Sequence, residues 1–227
     1  MEAACPDILA EGARRLGIAP EAAAIARLCR YQTELTNWNR RINLVAAAPQ
    51  PQWLETHFLD SLTLWPLIAQ IQADAATDQE LSLLDIGSGA GFPGLVLKCW
   101  HPADLVVTLV EPRLKRVSFL RHLIRTLNLE GVRVLAQRLE PGQTLPETFT
   151  VITSRAFTAL APFLALCAPL SPPGGLVVCM KGPRAEDELA RWRREQPHPP
   201  FRLEESRTFA LPFSGAERNL LIFRKLN

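Results

Sequence analysis

The sequence predicts an α/β fold in which helices cover both faces of a mostly parallel sheet, preceded by helices and closed by an antiparallel hairpin. Three observations predict this fold. From position 81 onward, short apolar runs typical of buried strands alternate with helical patterns. A turn with four glycines follows the first apolar run. The last two runs are separated by the short turn sequence PFSG, as in a β-hairpin.

Two helical patterns precede the sheet. Apolar side chains recur at helical spacing over residues 21–39 and again over residues 53–71, and residues 72–80 are a polar connector. A chain of 227 residues with 48% hydrophobic content can bury one substantial core. We therefore expect residues 1–80 to form a helical extension packed on a core domain of residues 81–227, together one compact unit.

The core domain alternates strands and helices in the way that a parallel sheet requires. Predicted strands lie at 83–86, 105–111, 132–137, 149–157 and 176–182, and predicted helices follow the glycine turn and lie at 112–129, 162–170 and 183–196. The last of these helices is highly charged, so we expect it to face solvent. The final runs, 201–211 and 218–227, predict the antiparallel hairpin.

Composition excludes several classes of protein. Basic residues number 25 and acidic residues 23, so the net charge of +2 does not by itself indicate a nucleic-acid-binding protein, and any polyanion site must be local. The five cysteines share no CxxC or zinc-type spacing, so we expect neither a disulfide framework nor a structural metal site. The N-terminus has no secretory signal pattern and no apolar run reaches about 18 residues, so we expect a cytoplasmic protein without membrane contact.

The glycine turn is the strongest functional signal. Gly87, Gly89, Gly91 and Gly94 lie between a predicted strand and a helix that starts near Pro93. Glycine permits positive φ and close approach of a ligand to the backbone, and the helix start offers unpaired N–H groups. Such a turn commonly holds a nucleotide-like ligand, although a glycine-rich connection without a ligand is an alternative.

Two cofactor classes fit this turn. The glycines satisfy GxGxxG, and Glu111 follows Gly91 by twenty residues, where a dinucleotide site has its ribose-binding acid. An NAD(P)-dependent oxidoreductase is therefore one hypothesis. Asp85, two residues before Gly87, extends the pattern to Asp-x-Gly-x-Gly-x-Gly. This pattern resembles the first motif of class I S-adenosylmethionine-dependent methyltransferases, in which the later acid binds both ribose hydroxyls.

Six separated motifs together resemble one family of bacterial enzymes. They are NL at 43–44, HFLDSL at 57–62, DIGSGAGFPG at 85–94, KRVSFL at 115–120, SRAF at 154–157 and KG at 181–182. In this order they resemble the RsmG family, also called GidB, of 16S rRNA guanine-N7 methyltransferases. The resemblance implies a class I, Rossmann-like methyltransferase fold, S-adenosylmethionine as cofactor, and 16S rRNA or the small ribosomal subunit as partner. We expect a monomer.

The residue chemistry agrees with methyl transfer to guanine N7. This atom carries a lone pair and loses no proton on methylation, so placement of the reacting atoms suffices and no general base is required. The chain lacks the Asn/Asp-Pro-Pro-aromatic sequence of amine methyltransferases and the Pro-Cys nucleophile of cytosine C5 enzymes. A third hypothesis is a non-catalytic RNA-binding or subunit-assembly protein on a relic cofactor fold, which predicts RNA binding that is independent of the cofactor.

The resemblance also implies a set of cofactor contacts. They are Gly87, Gly89, Phe92, Glu111, Leu139, Glu140 and Arg155. Arg155 is implied as a catalytic residue that positions the reactants, because a guanidinium can pair with the cofactor carboxylate or with a phosphate. Arg138 is a second candidate for this positioning role, as a contact to a phosphate or to the guanine, with an ordinary surface arginine as the alternative. Without the resemblance, Leu139 is interpreted as a core residue and Arg155 as part of a structural ion pair.

The helix after Glu111 is the predicted RNA surface. Arg113 and Arg116 on that helix, together with Lys181 and Arg218 near late strands, are the expected RNA-binding residues, with an ordinary solvated face as the alternative. An apolar stripe on the same helix is expected in the core. It consists of Leu114, Val117, Leu120, Ile124 and Leu127.

His57 is expected to be a hydrogen-bonded histidine between the N-terminal helices and the sheet, oriented by Asp60 and Ser61. Two neighbouring positions depart from the family pattern. Val45 stands where the family often has threonine, and Thr56 stands where an arginine usually precedes the histidine. These departures weaken the transfer of RNA-contact roles to the N-terminal region and leave the glycine turn untouched.

Overall fold

The computed structural model of the chain describes residues 4–74, 81–103, 105–155, 158–196 and 199–227 and has a seven-stranded sheet at its centre. The strands are β1 (Leu81–Ile86), β2 (Leu105–Val110), β3 (Val132–Leu135), β4 (Val151–Arg155), β5 (Leu176–Lys181), β6 (Phe201–Ala210) and β7 (Glu217–Lys225). Their order across the sheet is β3-β2-β1-β4-β5-β7-β6. Strands β1 to β5 run parallel and β7 is antiparallel to both β5 and β6, so the predicted fold is confirmed.

Helices lie before the sheet and between its strands. Before the sheet come α1 (Cys5–Arg15), α2 (Ala22–Ile42), α3 (Gln50–Trp53), a π-helical turn (Leu54–Leu59), α4 (Asp60–Leu62) and α5 (Trp65–Asp74). Later come α6 (Gly94–Trp100), α7 (Leu114–Thr126), α8 (Leu160–Cys167), a 3-10 turn (Ala168–Leu170) and α9 (Ala185–Glu195). Both predicted N-terminal helical regions are confirmed, the second as several short pieces. Residues 75–80 of the predicted connector and residues 156–157 of the SRAF motif lie outside the described residues.

Strand β1 determines where the site lies. Its Asp85 is opposite Leu109 of β2 on one side and opposite Thr153 of β4 on the other. The chain therefore moves outward from β1 through β2 and β3, and returns to the other side of β1 with β4. In open α/β sheets a crevice lies beyond the carboxyl ends of the strands at such a reversal of strand order.

Two apolar layers cover the two faces of the sheet. On one face the N-terminal helices, α6 and α7 pack around side chains that include Leu28, Phe58 and Phe119. On the other face α8 and α9 pack around Ile152 and Phe223. The N-terminal helices thus share their core with the sheet, while the domain division at residue 80 stays a prediction.

Two helices of the core domain differ in part from their predictions. Leu114, expected in the core, is 71% exposed, because it begins α7 beyond the end of β2, where no apolar layer covers it. The rest of that stripe is buried or partly buried as predicted. In the charged helix α9, Ala185, Leu189 and Trp192 are buried, so only its opposite side faces solvent.

The cysteines also differ from the expectation. A disulfide joins Cys5 of α1 to Cys29 of α2, 24 positions apart, with 5.9 Å between their Cα atoms. The prediction that excluded disulfides is wrong for this pair, because the two cysteines meet only through the packing of α1 on α2 and no local motif marks them. The other three cysteines are free and buried.

The turn between β6 and β7 is tied to the N-terminal helices. Buried Glu55 accepts hydrogen bonds through Oε1 from the N–H groups of Phe213 at 2.6 Å and Ser214 at 2.8 Å. Arg15 donates to the carbonyl of Pro212 at 3.1 Å, and its guanidinium lies 5.0 Å from the ring centroid of Phe213. The hairpin turn and the N-terminal helices therefore hold each other in place.

Two classes of site are not found in the described part of the chain. None of its helices combines the length and the apolar character needed to cross a bilayer. Within the same residues, no three His, Cys, Asp or Glu side chains are grouped so that they could hold a metal ion.

Candidate active site

The glycine turn crosses the carboxyl end of β2. Gly87, Gly89 and Gly91 have φ values of 76°, 58° and 100°, a region that side chains with a Cβ rarely adopt. The N–H groups of Gly87 and Ser88 donate to the carbonyl of Val110 at 2.9 and 3.1 Å. The sequence therefore places glycine where the backbone must fold tightly against the neighbouring strand.

The side chain of Asp85, at the end of β1, stabilises this turn. Its Oδ2 accepts a hydrogen bond from the N–H of Gly94 at 2.9 Å, and Oδ1 is buried without a partner. A Cβ at Gly94 would lie 2.7 Å from Leu109 and 3.0 Å from the Asp85 carboxylate, so only glycine fits there. Burial raises the pKa of Asp85 to about 7, against the opposing effect of the Gly94 hydrogen bond. Asp85 thus shapes the turn and lines neither cofactor cleft described below.

Glu111 closes the turn from the end of β2. Its Oε2 accepts the N–H of Gly89 at 3.0 Å, and its Oε1 accepts the N–H of Arg113 at 2.8 Å. Nη1 of Arg116 lies 3.7 Å from the same Oε2. The carboxylate is therefore fixed in position, and each oxygen still has a lone pair that can accept a hydroxyl hydrogen bond.

Two adjoining clefts open at this edge of the sheet. The first has a volume of about 530 Å³ and is lined by Leu44, Val45, His57, Gly87, Ser88, Gly89, Ala90, Phe92, Glu111, Pro112, Arg113, Arg116, Arg138 and Arg155. The second has a volume of about 370 Å³, and its lining includes Gln137, Leu139, Glu140, Thr158 and Pro162. Gly87, Pro112 and Arg138 line both clefts. All seven predicted cofactor contacts therefore lie in one continuous site.

Arg155, at the end of β4, is held by the segment that follows α3. Its Nη1 donates to the carbonyl of Thr56 at 2.7 Å and lies 3.4 Å from Oδ2 of Asp60, while Nη2 lies 3.2 Å from Nδ1 of His57. The guanidinium also lies 5.0 Å from the ring centroid of Phe92. Arg155 thus forms an ion pair with Asp60, as expected for a structural arginine, and its side chain also lines the first cleft.

His57 is fixed in one neutral form. Because an arginine can only donate, Nδ1 of His57 must accept, and the ring proton therefore resides on Nε2. Burial and the positive charge of Arg155 lower the pKa of His57 to about 4. Asp60 reaches the His57 ring through Arg155, which lies between them in the chain of contacts, so any orienting effect of Asp60 on His57 is indirect. The two oxygens of Asp60 engage Arg155 and Arg218, and Ser61 donates to the His57 carbonyl at 2.6 Å.

An aromatic cluster lies beneath the cleft. Phe92 stacks on Tyr31 and on His57, with ring centroids 5.6 and 5.0 Å apart, and meets Phe58 edge to face at 5.3 Å. The Tyr31 hydroxyl donates to the carbonyl of Ala90 in the glycine turn. Phe92 is a predicted cofactor contact, whereas the sequence interpretation missed Tyr31, because one tyrosine in a helical pattern carries no signal of its partner.

Comparison with known proteins identifies the family. The profile of GidB, described as rRNA small subunit methyltransferase G, matches residues 24–209 of the chain. This chain belongs to that family. Two relatives named ribosomal RNA small subunit methyltransferase G agree: that of Desulfotalea psychrophila is 41% identical over 95% of this chain and 96% of its own length, and that of Myxococcus xanthus is 44% identical over 96% of each.

Solved structures agree with the fold of the methyltransferase G family. A putative class I S-adenosylmethionine-dependent methyltransferase from Listeria monocytogenes matches with a TM-score of 0.64 and 11% identity over 98% of this chain and 81% of its own. TrmN from Thermus thermophilus matches with a TM-score of 0.56 and 20% identity over 76% of this chain and 53% of its own. At such identities the structures show the fold alone.

Membership in the methyltransferase G family decides between the three hypotheses. The chain is an S-adenosylmethionine-dependent rRNA methyltransferase, and neither the oxidoreductase nor the non-catalytic protein agrees with this result. The residues that line the two joined clefts fit the cofactor, because they include a fixed carboxylate, a glycine backbone and an apolar side chain.

The basic residues predicted to contact RNA differ in their surroundings. Arg113 is exposed at the start of α7, and its side chain makes no ion pair with any described residue. Lys181 donates to the carbonyl of Thr158 at 2.7 Å and pairs with Glu188 at 2.8 Å, and Arg218 pairs with Asp60 at 3.0 Å. Their roles in RNA binding stay predictions.

Proposed function

We propose that this chain transfers a methyl group to N7 of a guanine in 16S rRNA. Membership in the rRNA small subunit methyltransferase G family supports the rRNA as substrate. One observation of the structure carries the choice of N7, namely the composition of the 530 Å³ cleft, in which none of the described lining residues has a group that is free to remove a proton.

The groups that could act as a base are occupied. Glu111 is the one carboxylate among the described residues that line that cleft. Two backbone N–H groups and Arg116 engage it, and its remaining lone pairs are the ones that would accept the ribose hydroxyls. His57 accepts a hydrogen bond from Arg155 through the ring nitrogen that would take up a proton. Amine and hydroxyl acceptors must lose a proton on methylation, but guanine N7 presents a lone pair. The cleft therefore suits a ring nitrogen better than those acceptors.

The cofactor-holding residues follow from the two clefts. Backbone C=O groups at Gly87 and Gly89, whose N–H groups are already used within the turn, would accept hydrogen bonds from the ammonium of the amino-acid end. The Glu111 carboxylate would accept the ribose hydroxyls, and Leu139 with Glu140 would contact the adenine. When bound, S-adenosylmethionine supplies an electrophilic methyl group. The protein has to orient a guanine toward it, and orientation of this kind is worth roughly 7–11 kcal/mol of barrier in favourable cases.

Arg155 and Arg138 are proposed to orient the reactants. Arg155 is rigid, because it has three acceptors and packs on Phe92, so it can place a carboxylate or phosphate without much loss of entropy. Arg138 is exposed, lines both clefts and makes no hydrogen bond with any residue that the structure describes. Its guanidinium is therefore available to a ligand phosphate or to guanine O6.

The RNA is proposed to approach over the start of α7. Arg113 and Arg116 line the first cleft beside Glu111, so they bring positive charge to its entrance. Contacts from such residues to phosphates make binding depend on salt concentration.

The test uses small ribosomal subunits from cells that lack this enzyme. The purified chain and isotope-labelled S-adenosylmethionine are added, and the modified base is mapped by chemical cleavage of RNA at 7-methylguanine. We expect label at one guanine of 16S rRNA, and no label on subunits from cells that contain the enzyme. Label at a ring carbon or at an exocyclic amine would contradict the proposed attack by N7, and an absence of label would contradict the whole proposal.

A further inference from the structure

A third cleft, larger than either cofactor cleft, lies between α9 and the carboxyl ends of β4 and β5. It has a volume of about 820 Å³, and we call it the α9 groove. Its lining includes Thr158, Lys181, Gly182, Arg184, Arg191 and Arg194. Thr158 also lines the second cofactor cleft, so the α9 groove continues directly from the cofactor site.

We propose that the α9 groove binds a single-stranded segment of the substrate RNA beside the target guanine, with Arg184 and Arg194 in contact with its phosphates. This inference rests on the proposed function, because it takes the RNA as substrate. It assigns a role to helix α9, for which the charged sequence predicts only that the helix faces solvent.

Charge in the α9 groove is complementary to phosphate. Among the described residues, four basic and two acidic side chains line it, which leaves an excess of two positive charges. Lys181 is paired with Glu188 at 2.8 Å, and Arg191 with Glu195 at 3.0 Å. The side chains of Arg184 and Arg194, in contrast, make no hydrogen bond or ion pair with any residue in the described part of the chain.

The two arginines are presented from a rigid support. Ala185, Leu189 and Trp192 anchor α9 in the second core layer, which leaves its other side toward the groove. Arg184 and Arg194 are ten positions apart, which corresponds to about 15 Å along a helix axis. The two guanidinium groups can therefore contact different phosphates of one strand.

The walls of the groove suit nucleotides better than a folded protein surface. A Cβ at Gly182 would meet no atom within 4 Å, so the backbone there leaves open space for a base. The large apolar side chains that are exposed among the described residues are Leu114, Phe213 and Leu226, and none of them lines the groove. A protein partner would need such an apolar patch, whereas a nucleic-acid strand needs mainly positive charge.

The test compares two double variants of the full chain. In Arg184→Gln/Arg194→Gln the groove loses its two unpaired cations. In the control Arg30→Gln/Arg202→Gln the same charge is removed from two other exposed positions, one on α2 and one at the sheet edge opposite the cofactor. Both are measured for methylation of unmodified small subunits, for binding of S-adenosylhomocysteine, for binding to whole small subunits and for the salt dependence of binding to naked 16S rRNA.

We expect the groove variant alone to raise KM for the subunit, by roughly tenfold, with little change in kcat. The slope of log K against log salt should fall by roughly 0.7 for each phosphate contact that is lost. Affinity for S-adenosylhomocysteine should stay the same in both variants. Arg184→Lys/Arg194→Lys keeps the charge and should restore most of the slope.

Several results would overturn the inference. One is equal KM and equal salt slope in the groove variant and the wild type. Another is a loss of binding to whole subunits with unchanged binding to naked 16S rRNA, which would assign the groove to a ribosomal protein. If the groove variant does not fold, wild-type protein is modified with the arginine reagent phenylglyoxal, and failure of 16S rRNA to protect Arg184 and Arg194 would also overturn it.

These outcomes are distinct from failure of the proposed function. If wild-type protein binds S-adenosylhomocysteine but transfers no methyl group to unmodified subunits, the proposed function is wrong whatever the variants do. If wild-type protein methylates subunits and the groove variant behaves identically, only the assignment of the α9 groove is wrong.

Discussion

Oδ1 of Asp60 accepts a hydrogen bond from Nε of Arg218 at 3.0 Å, although 158 positions separate the two residues in the chain. The other oxygen of Asp60 lies 3.4 Å from Nη1 of Arg155. One buried carboxylate thus connects the segment after the π-helical turn with the ends of β4 and β7. Arg155 is therefore held in the cleft by the N-terminal helices, and its position depends on them.

Asp60→Asn should destabilise the protein and disturb Arg155. Removing one partner from a buried ion pair leaves the other charges uncompensated, so we expect the free energy of unfolding to fall by about 3 kcal/mol. Urea unfolding at neutral pH measures the change. The control is Asp7→Asn, which removes an exposed carboxylate from α1. If both variants unfold at the wild-type urea concentration, the two ion pairs of Asp60 contribute nothing to stability.

His57 should remain neutral at pH values where an ordinary histidine is protonated. Burial and the Arg155 charge place its pKa near 4 in the folded protein, below the value of about 6.5 in an unfolded chain. The stability that comes from neutral His57 is therefore present above pH 6.5 and is lost as pH falls toward 4. Nitrogen-15 NMR of the ring should show a proton on Nε2 and none on Nδ1 at pH 5.5.

The matched variant for this measurement is Arg155→Gln. It removes the positive charge that opposes protonation and the donor that occupies Nδ1, so the pKa of His57 should rise. If the pKa of His57 stays near 4 in Arg155→Gln, burial alone lowers it in the wild type. If His57 of the wild type is half protonated near pH 6.5, the hydrogen bond from Arg155 to its Nδ1 is contradicted.

The fold and the cofactor edge were predictable because both depend on local patterns. Alternating apolar runs predict strands and helices, and a glycine turn with an acid after the next strand marks the carboxyl edge of the sheet. Contacts between distant segments carry no such signal. The pairing of Asp60 with Arg155 and Arg218, and the disulfide between Cys5 and Cys29, depend on helix packing that periodicity does not specify.

The errors at Leu114 and α9 have a related cause. A helical pattern shows which residues share a face, but not how far along the helix its core-facing side remains covered. Leu114 belongs to the apolar stripe of α7 yet extends past the sheet. In α9 three buried residues are enough to anchor a helix that composition describes as solvated. The α9 groove was therefore visible only after the helix was placed beside β5.

Gly89→Ala should weaken cofactor binding more than it weakens folding. Gly89 has a φ of 58°, and a Cβ there would meet the Arg116 side chain at 3.6 Å, an ordinary contact. The backbone strain alone should cost roughly 1–2 kcal/mol of stability. The methyl group would also stand on the turn that is proposed to approach the cofactor, so affinity for S-adenosylhomocysteine in calorimetry should fall.

Gly174→Ala separates the two effects. Gly174 has a φ of 78° and open space around its Cβ position, and it lies in the turn before β5, away from both cofactor clefts. It should lose similar stability and keep the wild-type affinity for S-adenosylhomocysteine. Equal affinities in the two variants would show that Gly89 does not approach the cofactor.

Asp85→Asn should change how stability depends on pH. The folded pKa of Asp85 is raised from 3.8 to about 7, chiefly by burial. A carboxyl group with a raised folded pKa favours folding most when it is protonated, so its contribution is complete below pH 4 and is lost as pH rises through 7. Wild-type protein should therefore lose roughly 4 kcal/mol relative to Asp85→Asn between pH 4 and pH 8.

Urea unfolding across that pH range tests this prediction through the difference between the two proteins. A constant cost of the asparagine side chain, such as an amide hydrogen without an acceptor beside the buried Oδ1 position, shifts the whole curve and leaves its slope unchanged. The exposed control Asp7→Asn should run parallel to wild type. Parallel curves for Asp85→Asn as well would mean that Asp85 is ionised throughout, with its charge stabilised by the Gly94 N–H and the rest of the turn.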